Sequence, residues 1–471
     1  MEAILLVGGQ GTRLRPLTIS TPKPLLPTAG VAFLAHQLAR AHAAGVGRIV
    51  FATSYRAEMF EAAFGAHAHG VDLAYVSEDE PLGTGGAIRN ASRALTCGPD
   101  DPVLILNGDI LSGHDVRAQV KLHEEAGAAV TLHLTEVDDP SRFGCVPTSA
   151  DGRVTAFLEK TPHPVTNQIN AGCYVFRRSA IDTIPEDEVV SVERETFPSL
   201  IASGAVVMGH VESGYWLDVG TPEAFVRGSR DLVLGALASP AMPGDPGERL
   251  ALPGSRVAAG AVVRGGTTIG RGAVIEAGAT VLGSVLLENA FVAEGATVRD
   301  SVLSRRARVG PGAVLDGVVL GDGAVVGPGN ELRPGLRVWP GIELPRPPSA
   351  SPPTPDLNSV YLEDASGRRA AACSDVRSGG EGGVEVVDEE FGGLLEVDEG
   401  AAEVAARGGP PAEGAAVDPD VEGGEDEDGK AVLGGAALAL EAAAGEVEQQ
   451  VVCGGPRVDA VVHAGPVARE R

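Results

Sequence analysis

A Rossmann-like α/β domain on a mainly parallel sheet, followed by a left-handed parallel β-helix of hexapeptide repeats and an acidic tail expected to be disordered, is the architecture the sequence predicts. Three observations carry it. Short apolar runs alternate with amphipathic ones from Glu2 to about Leu237. From Leu252, apolar residues recur at six-residue steps. Past Pro345 neither pattern survives. The expected divisions are residues 1–237, a linker at 238–251, the β-helix at 252–345, and a Pro-rich linker with low-complexity tail at 346–471.

In the first region "EAILLV" reads as a strand ending in a glycine loop, and "FLAHQLARAHAAG" has helical spacing closed by Gly45. "RIVFAT" and "VLILN" are continuous apolar runs, as in strands buried on both faces. "HDVRAQVKLHEEAG" is a second helix, closed by Gly127. Strands alternating with helices give a parallel sheet, whose ligands sit at the carboxyl ends of the strands. In the second region the inward positions run Val257, Val263, Ile269, Ile275, Val281 and Leu287; after one-residue slips they resume at Val292, Val298, Leu303, Val309, Leu315, Leu320, Val326, Leu332 and Val338. Three such hexads make one triangular coil. The third region opens with the Pro/Ser stretch "LPRPPSASPPTPD" and continues into Gly, Ala, Val and acidic residues. It is either a solvated acidic tail or the product of a reading-frame shift, which the coding DNA read in its other frames distinguishes.

Of the formal charge of −27, residues 356–471 carry two thirds, with 26 acidic against 8 basic side chains. No basic stripe with interleaved aromatics is present, so a nucleic-acid surface is excluded. The five cysteines are odd in number and form no CxxC pair, which excludes a disulfide framework and a structural zinc site. No leader-like segment and no run of 18 apolar residues occurs, and a soluble cytoplasmic protein is expected.

The stretch "LLVGGQGTRLRPLTISTPKPLLP", residues 5–27, lacks the Lys-Ser/Thr of a Walker A loop and the third glycine of the dinucleotide fingerprint. It remains a strand-to-loop turn whose backbone N–H groups from Gly8 to Arg13 can surround polyphosphate oxygens. Arg13 offers a planar fork for phosphate, and Lys23, between Pro22 and Pro24, a stiffly placed point charge.

With that loop, "EPLGTGGA" at 80–87, "LNGDI" at 106–110, "FGCV" at 143–146, "FLEKTP" at 157–162, "NAGCYVF" at 170–176 and "YWLDVGT" at 215–221, the chain resembles the sugar-nucleotide pyrophosphorylases, also called nucleoside-diphosphate-sugar nucleotidyltransferases. Within that family it is most similar to the bacterial mannose-1-phosphate guanylyltransferases that carry a C-terminal left-handed β-helix. The resemblance covers about residues 1–345. It implies that a sugar 1-phosphate oxygen attacks the α-phosphorus of a nucleoside triphosphate and pyrophosphate leaves, a transfer that needs positioning and charge neutralisation. It gives Arg13 and Lys23 the catalytic role, and Leu6, Gly8, Gly9, Gly11, Thr12, Glu80 and Gly85 to the nucleotide. Gly144, Glu159, Lys160, Asn170 and Gly172 fall to the sugar phosphate, and Asp109 and Asp218 to Mg²⁺, for which two carboxylates with phosphate oxygens make a hard-oxygen site.

Guanine presents N1–H and N2–H₂ donors that one carboxylate accepts together, so Glu80 favours GTP, with mannose 1-phosphate as the partner substrate. The loop reads "GTGG" where guanylyltransferases often carry alanine, and glucose-1-phosphate thymidylyl or uridylyl transfer stays as an alternative. A non-catalytic regulatory subunit is a further alternative, weighed against the presence of Arg13, Lys23, Asp109, Lys160 and Asp218 together. Acyl transfer on the β-helix is disfavoured, because residues 211–462 contain no histidine to act as base. The flat faces of the β-helix suit assembly or regulation, and a homo-oligomer is expected.

Overall fold

The computed structural model describes residues 1–347 except Asp79, Glu159, Thr161 and Pro162, leaving aside the side chain of Arg142, together with five short strands between Val376 and Val462. The first region folds around an eight-stranded sheet in the order Val207–Val211, Val130–Glu136, Gln168–Arg177, Pro102–Asn107, Glu2–Leu6, Arg48–Thr53, Val71–Ser77 and His67–Ala68. Its central strands pair in parallel, while Gln168–Arg177 runs against both neighbours. That reversal brings its start, near Asn170, to the edge where Pro102–Asn107 ends.

Both faces of the sheet are covered, which is why the strands read as continuous apolar runs. Ala3, Leu5, Ile49, Phe51, Leu104 and Leu106 face one core, and Ile4, Val50, Val103 and Ile105 the other. The two helices expected from sequence form as Phe33–Ala43 and Val116–Glu125. Asp115 caps the second by accepting from the backbone N–H of Arg117 and Ala118, and Gly127 takes a left-handed φ of 54° just past its end.

The second region is a parallel β-helix of three sheets. The stretch 238–251, expected as a linker, ends in the strand Arg249–Ala251, which pairs in parallel with Thr267–Ile269. One inward position differs from the expectation. Leu286, not Leu287, shares the coil interior with Ile269, Leu303 and Leu320, because the first five-residue step falls between Val281 and Leu286, as it does again between Val298 and Leu303 and between Leu315 and Leu320. Leu287 turns outward with Val285, Val302 and Val319 into the first region's core, beside Leu25, Leu26 and Val226. The β-helix is thus continuous with that core along one face.

In the tail, Val376–Gly379, Gly383–Asp388 and Gly393–Asp398 form an antiparallel sheet, and Val447–Val451 pairs with Val458–Val462. Disorder is expected over the whole of 346–471, so these strands depart from that expectation; the rest of the tail past residue 347 lies outside the described residues. Among the described residues no helix is long and apolar enough to cross a membrane.

A buried histidine group sets how stability responds to acid. His114 donates through Nε2 to Gln119 Oε1 at 3.0 Å and accepts at Nδ1 from Arg40 and Ser112, both at 2.9 Å, which fixes a neutral ring. His133 stacks on it at 3.6 Å between centroids. Burial first, then neighbouring charge, lowers His133 to about 3, and burial lowers His123 to about 4. Their native pKa values lie below the unfolded value near 6.5, so below that pH the unfolded chain binds protons that the native chain refuses. Stability is full above pH 6.5 and falls towards pH 4, each histidine contributing about 1.4 kcal/mol per pH unit. Urea midpoints at pH 7, 6 and 5 should fall accordingly, and His133→Phe should flatten the slope.

Candidate active site

The first strand ends at Leu6 and delivers the glycine loop to the carboxyl edge of the sheet. Gly8 O accepts from Ser54 Oγ at 2.8 Å, tying the loop to the end of the neighbouring strand. Gly9 has open space around it, Gly11 has φ +63°, and a Cβ on Gly11 would meet Lys23 Cβ at 2.9 Å. The missing side chain therefore lets the Lys23 stem lie across the loop. Thr12–Leu14 and Lys23–Leu25 are single 3-10 turns, the second entered from Pro22 and containing Pro24. Thr12 and Arg13 are exposed, while Leu14, Leu17 and Leu25 anchor the loop in the core.

Asp109 and Asp218 meet there. The strands Ile110–Ser112 and Trp216–Asp218 pair antiparallel, setting Asp218 opposite Ile110, and Val219 N donates to Asp109 O at 3.0 Å. Lys23 Nζ donates to Asp109 Oδ2 at 2.9 Å. Arg13 also reaches the pair, since a Cβ on Gly220 would lie 2.9 Å from Arg13 Nη2 and 3.2 Å from Asp218 Oδ1. Asp218 Oδ1 is buried and has no hydrogen-bond partner among the described residues. Burial, then the Asp109 charge, raises the Asp218 pKa, against the pull of Lys23 and Arg13. Two carboxylates, of which Asp218 has a buried oxygen with no partner among the described residues, stand among two cations beside the glycine loop.

On the other side, Gly172 takes φ +74° against Asn107 Nδ2, and its N–H donates to Asn170 Oδ1 at 3.0 Å. Asn170 donates to Glu193 Oε1 at 2.6 Å, and Trp216 Nε1 to Ala171 O at 3.0 Å. Asn170 and Gly172 therefore adjoin the "LNGDI" turn. Gly144, with φ +73°, precedes the antiparallel bridge of Cys145 with Leu158, two residues before exposed Lys160. No hydrogen bond or ion pair joins Lys160 to Asp109 or Asp218 among the described residues, and Glu159 lies outside them.

Glu80 is exposed. Gly85 is held by packing: its N–H donates to Val190 O at 2.8 Å, and a Cβ there would meet Val190 Cγ1 at 2.8 Å. Two residues were missed. Glu78, at the end of the strand Val71–Ser77, accepts from Leu82 N at 3.3 Å through Oε2; its Oε1 is buried without a partner among the described residues. Burial raises its pKa. Its place just past a strand end, two residues before Glu80, is the only signal the sequence offers for it.

Gly108 is the second. Its N–H donates to Leu6 O at 2.9 Å, and a Cβ would stand 2.5 Å from that oxygen. Gly108→Ala is expected to push the Asp109 turn off the first strand, costing about 1–3 kcal/mol of stability and more than about tenfold in turnover. A thermal melt and a steady-state assay measure both.

Residues 2–233 match the nucleotidyl transferase family, and residues 247–338 the GMPPB C-terminal domain. The chain is 52% identical over 347 residues to a mannose-1-phosphate guanylyltransferase of Mycobacterium tuberculosis, covering 73% of this chain and 96% of that protein. It is 39% identical over 229 residues to a mannose-1-phosphate guanylyltransferase catalytic subunit beta of Drosophila pseudoobscura pseudoobscura, spanning 61% of that protein and 48% of this one. The crystal structure of HddC from Yersinia pseudotuberculosis aligns over 49% of this chain and 99% of that one, at 28% identity and a TM-score of 0.43.

Proposed function

The chain belongs to the nucleotidyl transferase family, enzymes that transfer a nucleotide to a sugar phosphate, and from that premise we propose that it joins GTP to mannose 1-phosphate, giving GDP-mannose and pyrophosphate. The observation that carries the reaction is the Lys23–Asp109 pair beside Arg13 and Asp218, at the strand edge where the glycine loop opens. The likeness to the M. tuberculosis protein supports the choice of base and sugar.

The loop amides from Gly8 to Arg13 hold the triphosphate, with Leu6 at the strand end below them. An oxygen of the sugar 1-phosphate forms a bond to the α-phosphorus in line as the bond to the β-phosphate oxygen breaks, and pyrophosphate carries away the electron pair. Arg13 and Lys23 neutralise the charge that grows on the α-phosphate and the leaving group. Lys160, with Glu159, Asn170, Gly172 and Gly144, holds the sugar phosphate. Asp109 and Asp218 would hold Mg²⁺, a role that the unclaimed Asp218 Oδ1 fits. When bound, the ion supplies charge neutralisation to the phosphate oxygens.

For the base, half-buried Glu78 offers a better-desolvated carboxylate than exposed Glu80, and its Oε1, without a partner among the described residues, is the oxygen that would accept from guanine, with Oε2 shared between Leu82 N and the second donor. A matrix of GTP, UTP, dTTP, ATP and CTP against mannose, glucose and N-acetylglucosamine 1-phosphates, scored by pyrophosphate release, tests this reading. GTP with mannose 1-phosphate should lead. A preference for dTTP or UTP with glucose 1-phosphate would replace the base and sugar while sparing the reaction class. Glu78→Gln should cut the preference for GTP over UTP by about tenfold or more, and Glu80→Gln should leave it.

A further inference from the structure

We propose that the β-helix is a working part of the triphosphate site, in which Arg337, Arg305 and Asp322 act as positioning residues that hold the turn joining Arg13 to Lys23. The proposal rests on the reading that these two cations bind the triphosphate.

Between them runs a segment that carries no regular structure beyond its two single turns, yet it sets the distance from one cation to the other. Its inner side is fixed locally. Leu14 and Leu17 are buried, and Thr18 Oγ1 donates to Gly11 O at 2.9 Å. Its outer side is held from more than 280 residues away. Arg337 Nη1 donates to Arg15 O at 2.9 Å, Arg305 Nη1 to Thr21 Oγ1 at 3.1 Å, and Ser20 Oγ to Asp322 Oδ2 at 3.1 Å.

The three β-helix side chains are themselves anchored. Asp322 Oδ1 accepts from Arg305 N at 3.2 Å, and Gly323 N donates to Arg305 O at 2.8 Å, so one carboxylate ties two adjacent coils to the loop. Arg337 follows a coil turn and lies within electrostatic reach of Glu223, in the first turn of the helix Pro222–Leu234 that begins four residues after Asp218. Arg337 therefore stands between the loop that carries Arg13 and the element that follows Asp218. A coil with a filled interior is a stiff support, and a site held by stiff elements keeps its geometry better than one held by a free loop.

The expected consequence is selective. Loosening the outer side should disorder the triphosphate contacts and leave the sugar-phosphate side, on separate elements, alone. In the full-length protein, Arg337→Met should raise KM for GTP about tenfold and lower kcat, with KM for mannose 1-phosphate changed by less than about twofold. Arg337→Lys keeps a donor and should recover most of the loss. A general loss of folded enzyme would lower kcat alone and move neither KM.

Should Arg337→Met melt early, the double variant Ser20→Ala/Thr21→Val removes the loop-side partners of Asp322 and Arg305 without touching the β-helix; it leaves the bond from Arg337 to Arg15 O, and should raise KM for GTP in the same direction by about threefold or more, again with KM for mannose 1-phosphate unchanged. Lys23→Met runs beside them. If Lys23→Met is inactive while both other variants keep the wild-type KM for GTP, the clamp is wrong and the triphosphate reading stands. If Lys23→Met retains full activity, that reading itself fails.

Discussion

Lys23→Met is expected to reduce pyrophosphate release by about 10²–10³-fold, the scale of losing one preorganised charge aimed at a developing oxyanion. Methionine keeps the apolar stem that lies across Gly11 and removes only the ammonium. In the native protein that ammonium is bonded to Asp109 at 2.9 Å, with the lysine side chain 12% exposed and the aspartate 38% exposed. Because Asp109 stays solvated, losing its partner should cost about 1 kcal/mol or less in stability. Activity and fold therefore separate: steady-state rates should collapse while the thermal midpoint stays within a few degrees of wild type. A variant that melts far below wild type would mean that the pair is chiefly structural.

Asp218→Asn should move the two quantities in opposite directions. The Asp218 pKa is raised, by burial first and the Asp109 charge second, so its ionised form is less stable in the folded protein than in the unfolded chain. At neutral pH, above that pKa's unfolded counterpart, the folded state bears the cost of the charge, and a neutral amide of the same shape removes it. The melting temperature of the substrate-free protein should rise by about 2 °C for each kcal/mol recovered. Turnover should fall by about 10²-fold or more, because an amide is a weak ligand for a divalent cation and does not neutralise one. Differential scanning fluorimetry without substrates and a Mg²⁺ titration of activity check the two halves. Such opposed effects are expected where a site stores an unfavourable charge for use with its ligands.

Much of this was legible in the sequence because it is periodic or sits in short motifs. Continuous apolar strands, the helix stop at Gly127 and a six-residue repeat each follow from local rules, and the fold agrees with them. The misplaced position shows where such rules stop. Leu286 and Leu287 are both apolar and both buried, but against different cores, and only the packing of the β-helix onto the first region tells them apart. The cations were legible in the glycine loop and the carboxylates through the family resemblance of their motifs; their meeting depends on the small antiparallel pair at Ile110–Ser112 and Trp216–Asp218, which joins segments about a hundred residues apart. Between Glu78 and Glu80, burial picks out Glu78, and burial is set by the strand end rather than by composition. The contacts of Arg305, Asp322 and Arg337 with the glycine-loop segment lie beyond any local pattern, since nothing in a hexapeptide repeat marks which outward residue meets a neighbour.

The most direct measurement is the balance of products. The full-length protein, incubated with GTP, Mg²⁺ and mannose 1-phosphate, should release one pyrophosphate for each GDP-mannose formed, and none when the sugar phosphate is left out. Pyrophosphate release that does not depend on a sugar phosphate, or the absence of any nucleotide sugar among the products across the nucleotides and sugar phosphates tried, would contradict the assignment of nucleotidyl transfer to this site.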